Sequence, residues 1–120
     1  MKTQSEKSEY MLLLRQPNGP IPAPEELKKI MDRFSAWMKS MEEKGMVLAT
    51  AGLDVSGKIL RGTGGETIID GPYPEATEIV GGYVLIAASD MNEAVAAARQ
   101  CPGLDYRMAV EVRPVNHRKR

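Results

Sequence analysis

The chain has 120 residues, sixteen of them basic and sixteen acidic, and a single cysteine. That length suits one domain whose core needs neither disulfide nor metal, and the balanced charge gives no field to attract nucleic acid or an anionic membrane. Cys101 has no partner for an internal disulfide, which fits a reducing cytoplasm. Met1 to Glu9 is polar without a signal-peptide apolar run, and no apolar run is long enough to span a bilayer. The expectation is a cytoplasmic protein with a flexible lead over 1–9, a domain over 10–115 and a basic tail over 116–120.

Tyr10 to Leu14 is an unbroken apolar run that suits a strand buried on both faces. Three prolines then stiffen the loop from Arg15 to Ala23. Pro24 stands where a proline opens a helix, Glu25 and Glu26 occupy its first turn, and Gly45 ends it. Leu27, Ile30, Met31, Phe34, Trp37, Met38 and Met41 recur at three and four residues, which predicts one apolar stripe packed on a sheet. Met46 to Ala51 is a second strand. Lys58 to Arg61 and Glu66 to Ile69 are short strands around Gly62-Thr63-Gly64-Gly65. No Gly-Lys-Ser/Thr follows those glycines, so they predict a hairpin turn rather than a phosphate loop.

Tyr83 to Ala88 is a further apolar strand. Asp90 and Glu93 make a capping box for a second helix with Met91, Ala94, Val95, Ala98 and Cys101 on its buried side, stopped by Pro102-Gly103. Val110 and Val112 alternate with Glu111 and Arg113 in a last strand. The order of elements predicts an α+β fold, the ferredoxin-like split βαβ arrangement with an inserted hairpin. Both helices would then cover one face of an antiparallel sheet. Leu12 to Leu14 and Val84 to Ile86 are apolar at consecutive positions, so the other face also needs a cover. A second copy of the chain is the economical one, which predicts a homodimer.

Between the hairpin and the next strand lies Asp70-Gly71-Pro72-Tyr73-Pro74-Glu75-Ala76-Thr77-Glu78, followed by Gly81-Gly82-Tyr83. This stretch resembles the Asp-Gly-Pro-Phe signature, and the Glu, Glu and Gly-Gly-Tyr after it, of the DGPF branch of YCII-related proteins. Tyr10 to Leu14 and Glu111-Val112-Arg113-Pro114-Val115 extend the resemblance over roughly residues 9 to 115. It implies a dimeric α/β barrel. An Asp paired with a His has been taken as a sign of catalysis in such proteins, and one branch includes a dehydrochlorinase acting on a chlorinated hydroxyquinol. Here the only histidine is His117, outside every family motif, so the dyad does not carry over. Tyr73 replaces the family's Phe, and Pro74 to Glu78 lacks the family's Lys. Neighbouring genes for extracytoplasmic-function sigma factors are common in the branch, which implies such a factor as an alternative partner.

Asp70 is the catalytic candidate, a proton-transfer group raised in pKa by partial burial at the mouth of a cleft between the sheet, the first helix and its own loop. The residues alone favour a structural alternative, an Asx turn bonded to backbone N–H groups. Tyr73, Tyr83, Arg113, Glu75 and Glu78 are the ligand-binding candidates. The three carboxylates match no standard metal loop, so pairing with Arg15, Arg61 or Arg113 is favoured over a metal. Cys101 is expected as a buried small hydrophobe. No nucleotide, haem or flavin motif is present and no cofactor is expected. Two functions follow: a small dimeric protein that binds a partly apolar molecule, with cofactor-free lyase or isomerase chemistry if Asp70 is catalytic, or a non-catalytic regulatory module.

Overall fold

The computed structural model describes residues 7–117. Its strands are β1 (Ser8–Pro17), β2 (Val47–Gly52), β3 (Lys58–Arg61), β4 (Thr67–Asp70), β5 (Glu78–Ala88) and β6 (Ala109–Pro114). The helices are α1 (Pro24–Glu43) and α2 (Met91–Ala98), with short 3-10 turns at Thr63–Gly65 and Pro102–Tyr106. Strands β2, β5, β1 and β6 form, in that order, an antiparallel sheet, and β3 and β4 pair separately. This is the ferredoxin-like order with a hairpin inserted between β2 and β5. Among the described residues no helix is long and apolar enough to cross a membrane.

Local chemistry sets the ends of the helices. Pro24 occupies the first turn of α1, where its missing N–H costs nothing, and Glu25 and Glu26 sit at the positive end of the dipole. At α2 the Asp90 side chain accepts from the Glu93 N–H at 2.9 Å, and Glu93 reaches back to the Ser89 N–H at 2.9 Å. That helix stops at Ala98, earlier than the Cys101 expected from the apolar spacing, because Pro102 opens a 3-10 turn there. Cys101 is still buried, beside the end of the helix rather than on it.

The core lies between the sheet and the helices. Tyr10, Leu12, Val84, Ile86 and Ala88 point into it from the strands, and Trp37, Met41, Ala94 and Ala98 from the helices. The α1 stripe, expected to be buried along its length, is split. Ile30, Trp37 and Met41 are buried, Phe34 meets Trp37 edge to face, and Leu27 and Met31 are exposed. The apolar arc of α1 is wider than the seam that the sheet offers it.

Strands β1 and β5 both run past their apolar runs, since backbone pairing continues from Ser8 opposite Ala88 to Pro17 opposite Glu78. A bulge after Leu14 leaves Gly81 as the extra residue of β5. A Cβ on Gly81 would meet the Gln16 side chain, and one on Gly82 would stand 2.9 Å from the Ala51 carbonyl oxygen. The paired glycines therefore let three strands close up at this end of the sheet.

Because side chains alternate along a strand, the residues between those of the core line the opposite face. Met11 and Leu13 lie there beside their cross-strand partners Leu85 and Tyr83, all four half-buried. Among the described residues no helix covers this face. The β3–β4 hairpin does not fold over it either: Leu60 is 60% exposed and Ile68 57%. The Cα radius of gyration is 16.4 Å, against about 14 Å for a compact domain of this length.

Candidate functional site

The sequence candidates divide into two groups. Asp70, Tyr73 and Glu75 belong to the loop at the base of the hairpin. Tyr83, Glu78 and Arg113 belong to the helix-free face of the sheet, on β5 and β6.

In the loop, the Gly71–Pro72 peptide is cis. The Gly71 N–H donates to the Gly57 carbonyl at 2.8 Å, closing the base of the hairpin. Tyr73 folds back over that base. Its ring and the Val55 carbonyl each lie 2.8 Å from the place of a Cβ on Gly71, so only glycine fits there. Asn18, just past β1, holds the other side. Its Nδ2 donates to the Tyr73 carbonyl at 2.8 Å and to the Ala76 carbonyl at 2.9 Å, while its own N–H donates to Thr77 at 3.0 Å. One amide side chain thus satisfies two carbonyls and fixes the loop to the end of the sheet.

Asp70 differs from expectation. Its side chain is 72% exposed and pairs with Lys58 across the hairpin. The partial burial expected of a proton-transfer group is absent, and the partner is an ammonium rather than the backbone N–H of an Asx turn. The local turn bonds belong instead to Asp54, whose carboxylate accepts from the Val55 N–H and the Ser56 hydroxyl. Glu75 is exposed.

On the helix-free face a ladder of charge runs across three strands. Arg15 on β1 reaches Glu78 on β5 at 3.1 Å and Glu111 on β6 at 2.9 Å, and Arg113 stands 3.8 Å from Glu111. The expected pairing of Glu78 with Arg15 is present. Glu111 was not among the candidates, since its place beside Arg15 depends on a register that composition does not show. Alternation alone puts Arg15 on the same side as Leu13. Asp70 turns to Lys58 and Glu78 to Arg15, so the three carboxylates do not converge. Among the described residues no three His, Cys, Asp or Glu side chains gather to hold a metal ion.

His117 bonds Glu9 at 3.1 Å. Glu9 lies at the start of β1, whereas Asn18 and the Asp70 loop lie at its end, so one chain does not bring His117 and Asp70 together. A furrow of about 700 Å³ lies between α1 and α2, and a second of about 590 Å³ runs along α1. Neither is lined by the Asp70 loop, which is held against the hairpin and Asn18 instead of leaning on the first helix. Burial pushes the Cys101 thiol up from its ordinary pKa, against the pull of the Gly103 and Leu104 N–H groups.

A model of the YCII-related domain matches residues 8–117, from the first residue of β1 to His117. The chain belongs to the YCII-related family. A search of the curated proteins finds no match. Within this YCII-related domain the matched span takes in the whole four-stranded sheet, both helices, the hairpin and the Asp70 loop.

Proposed function

We propose that this YCII-related protein, of the DGPF branch by its Asp70-Gly71-Pro72-Tyr73 loop, is a cytoplasmic homodimer that binds a small, partly apolar molecule. The observation that carries the dimer is the helix-free face, where Met11, Leu13, Tyr83 and Leu85 form an apolar centre beside the Arg15, Glu78, Glu111 and Arg113 ladder. Two such faces in contact give a dimeric α/β barrel with apolar residues at the centre of the interface and charges toward its edge. Binding is favoured over proton transfer because Asp70 is solvated and paired to Lys58, and because Glu9 holds His117 at the far end of β1.

Sedimentation equilibrium at micromolar concentration tests the dimer. Wild type is expected at twice the chain mass and Leu13→Glu at the chain mass, with unchanged circular dichroism, because Leu13 points away from the helix-side core. A monomeric wild type would remove the dimer reading. A thermal-shift screen of small, partly apolar compounds tests the binding reading, which requires at least one saturable stabiliser.

A further inference from the structure

We propose that the furrow between α1 and α2 is the ligand site, and that it takes a single-headed amphiphilic anion, an extended hydrocarbon carboxylate being the type. The proposal rests on the reading of the chain as a small-molecule binder and is independent of the dimer.

Small side chains open the furrow. Ala36 and Ser40 on α1 face Ala96 and Ala97 on α2, so the helices leave a slot of about 700 Å³, within the range of sites for small ligands. The floor is apolar and fixed. Trp37 is 5% exposed and its Nε1 donates to the Ala97 carbonyl at 3.0 Å, so the indole has no donor left for a ligand and shows the furrow only a narrow strip of hydrocarbon. Met41, Met46 and Pro102 continue the floor.

Charge distinguishes the two ends. At one end Arg33 is occupied: Asp105 at 2.6 Å and the Tyr106 hydroxyl at 2.9 Å hold its guanidinium, raising its pKa further. At the other end stand Lys7 and Lys44, neither with an ion pair among the described residues. Glu93, the acid on that rim, spends one carboxylate oxygen on the Ser89 N–H as part of the helix cap. The furrow is therefore apolar along its floor and carries at one end two ammonium groups without an ion pair among the described residues, against the single carboxylate of Glu93. From Arg33 to Lys44 the helix rises about 16 Å, long enough for an extended hydrocarbon chain of about ten to twelve carbons to lie within that length. An anionic head at Lys7 and Lys44 with its tail over Trp37 satisfies both features.

Trp37 is the only tryptophan of the chain, so its fluorescence reports occupancy directly. The experiment is a titration of the full chain with sodium decanoate below its micelle concentration, with decyltrimethylammonium as the control of equal length and opposite charge. A saturable change in Trp37 emission is expected for decanoate and a much weaker one for the cation. Lys44→Gln combined with Lys7→Gln should weaken decanoate by about threefold to tenfold, and added salt should act in the same direction. Ala96→Phe fills the slot and should abolish the change. If that variant does not fold, Ser40→Leu blocks the opposite wall. No saturable change, equal response to both head groups, or binding that survives the lysine and slot-filling variants would each overturn the proposal. A stabiliser from the screen whose effect survives Ala96→Phe would place the ligand elsewhere, overturning the furrow while leaving the binding reading intact.

Discussion

In the four-stranded body Leu12, Val84 and Ile86 are fully buried, whereas in the hairpin arm Leu60 and Ile68 are more than half exposed. The body is held by apolar side chains closed between a sheet and two helices. The arm is held by its own ladder, by the Gly71 to Gly57 hydrogen bond, by the Tyr73 ring and by one exposed ion pair. A lone two-stranded hairpin is marginal in water, so what keeps the arm in place is mostly the stereochemistry at its base. The conspicuous motif of the sequence, Asp70-Gly71-Pro72-Tyr73, lies at that base. The motif thus marks the joint between two differently stabilised regions.

The comparison breaks most simply with a matched pair of truncations. Leu12→Ala should cost about 3 kcal/mol or more in urea unfolding, because it empties a closed site. Leu60→Ala should stay within about 0.5 kcal/mol; an equal loss at the two positions would show that the arm is packed as tightly as the body. Next in size is Gly71→Ala, about 1–3 kcal/mol, since the added methyl meets a backbone carbonyl and an aromatic ring, neither of which yields easily. Gly81→Ala should cost less, because the Gln16 side chain in its way can swing aside.

Smaller still is the pH dependence of the body. The folded state holds the Cys101 thiol above its ordinary pKa, so as pH rises the unfolded chain loses this proton first. Its contribution to stability is complete below the ordinary thiol range and declines above it. Cys101→Ala should flatten that alkaline decline in unfolding curves. An unchanged slope would show that burial of the thiol is not felt. Asp70→Asn should also have a small effect, at most about 0.5 kcal/mol and fading with salt, as for an exposed pair. A larger loss would mean that the carboxylate, and not the glycine, holds the joint.

Periodicity identified the elements of the body because their burial is set by residues near in sequence. The apolar runs at Tyr10 and Tyr83, the Pro24 helix start and the Asp90 cap all stand where they were expected. Register was not legible. The extension of β5 back to Glu78 depends on Gly81 bulging out and on Gln16 filling the space, a relation between residues far apart in the chain. The same holds for Glu111 beside Arg15 and for Asn18 under the loop. Asp70 stood out through its neighbours Gly71 and Pro72, but those residues dictate backbone shape and say little about the burial of the side chain between them and the strand. The α1 stripe could be counted, though how much of it the sheet covers is a matter of packing.

The arm meets the body at both of its ends, and at the second of them Asn18 ties the Tyr73 and Ala76 carbonyls to the end of β1. Gly52 on β2 lies directly opposite Gly82 on β5, and the Leu53 N–H donates to the Gly81 carbonyl at 2.9 Å. None of the buried core side chains falls between residues 54 and 79. That segment is a graft on what would otherwise be a short hairpin between neighbouring strands. Lengthening, shortening or exchanging the hairpin between residues 54 and 70 would therefore leave every buried side chain of the core in place, so that new surface chemistry can be built here on an unchanged chassis.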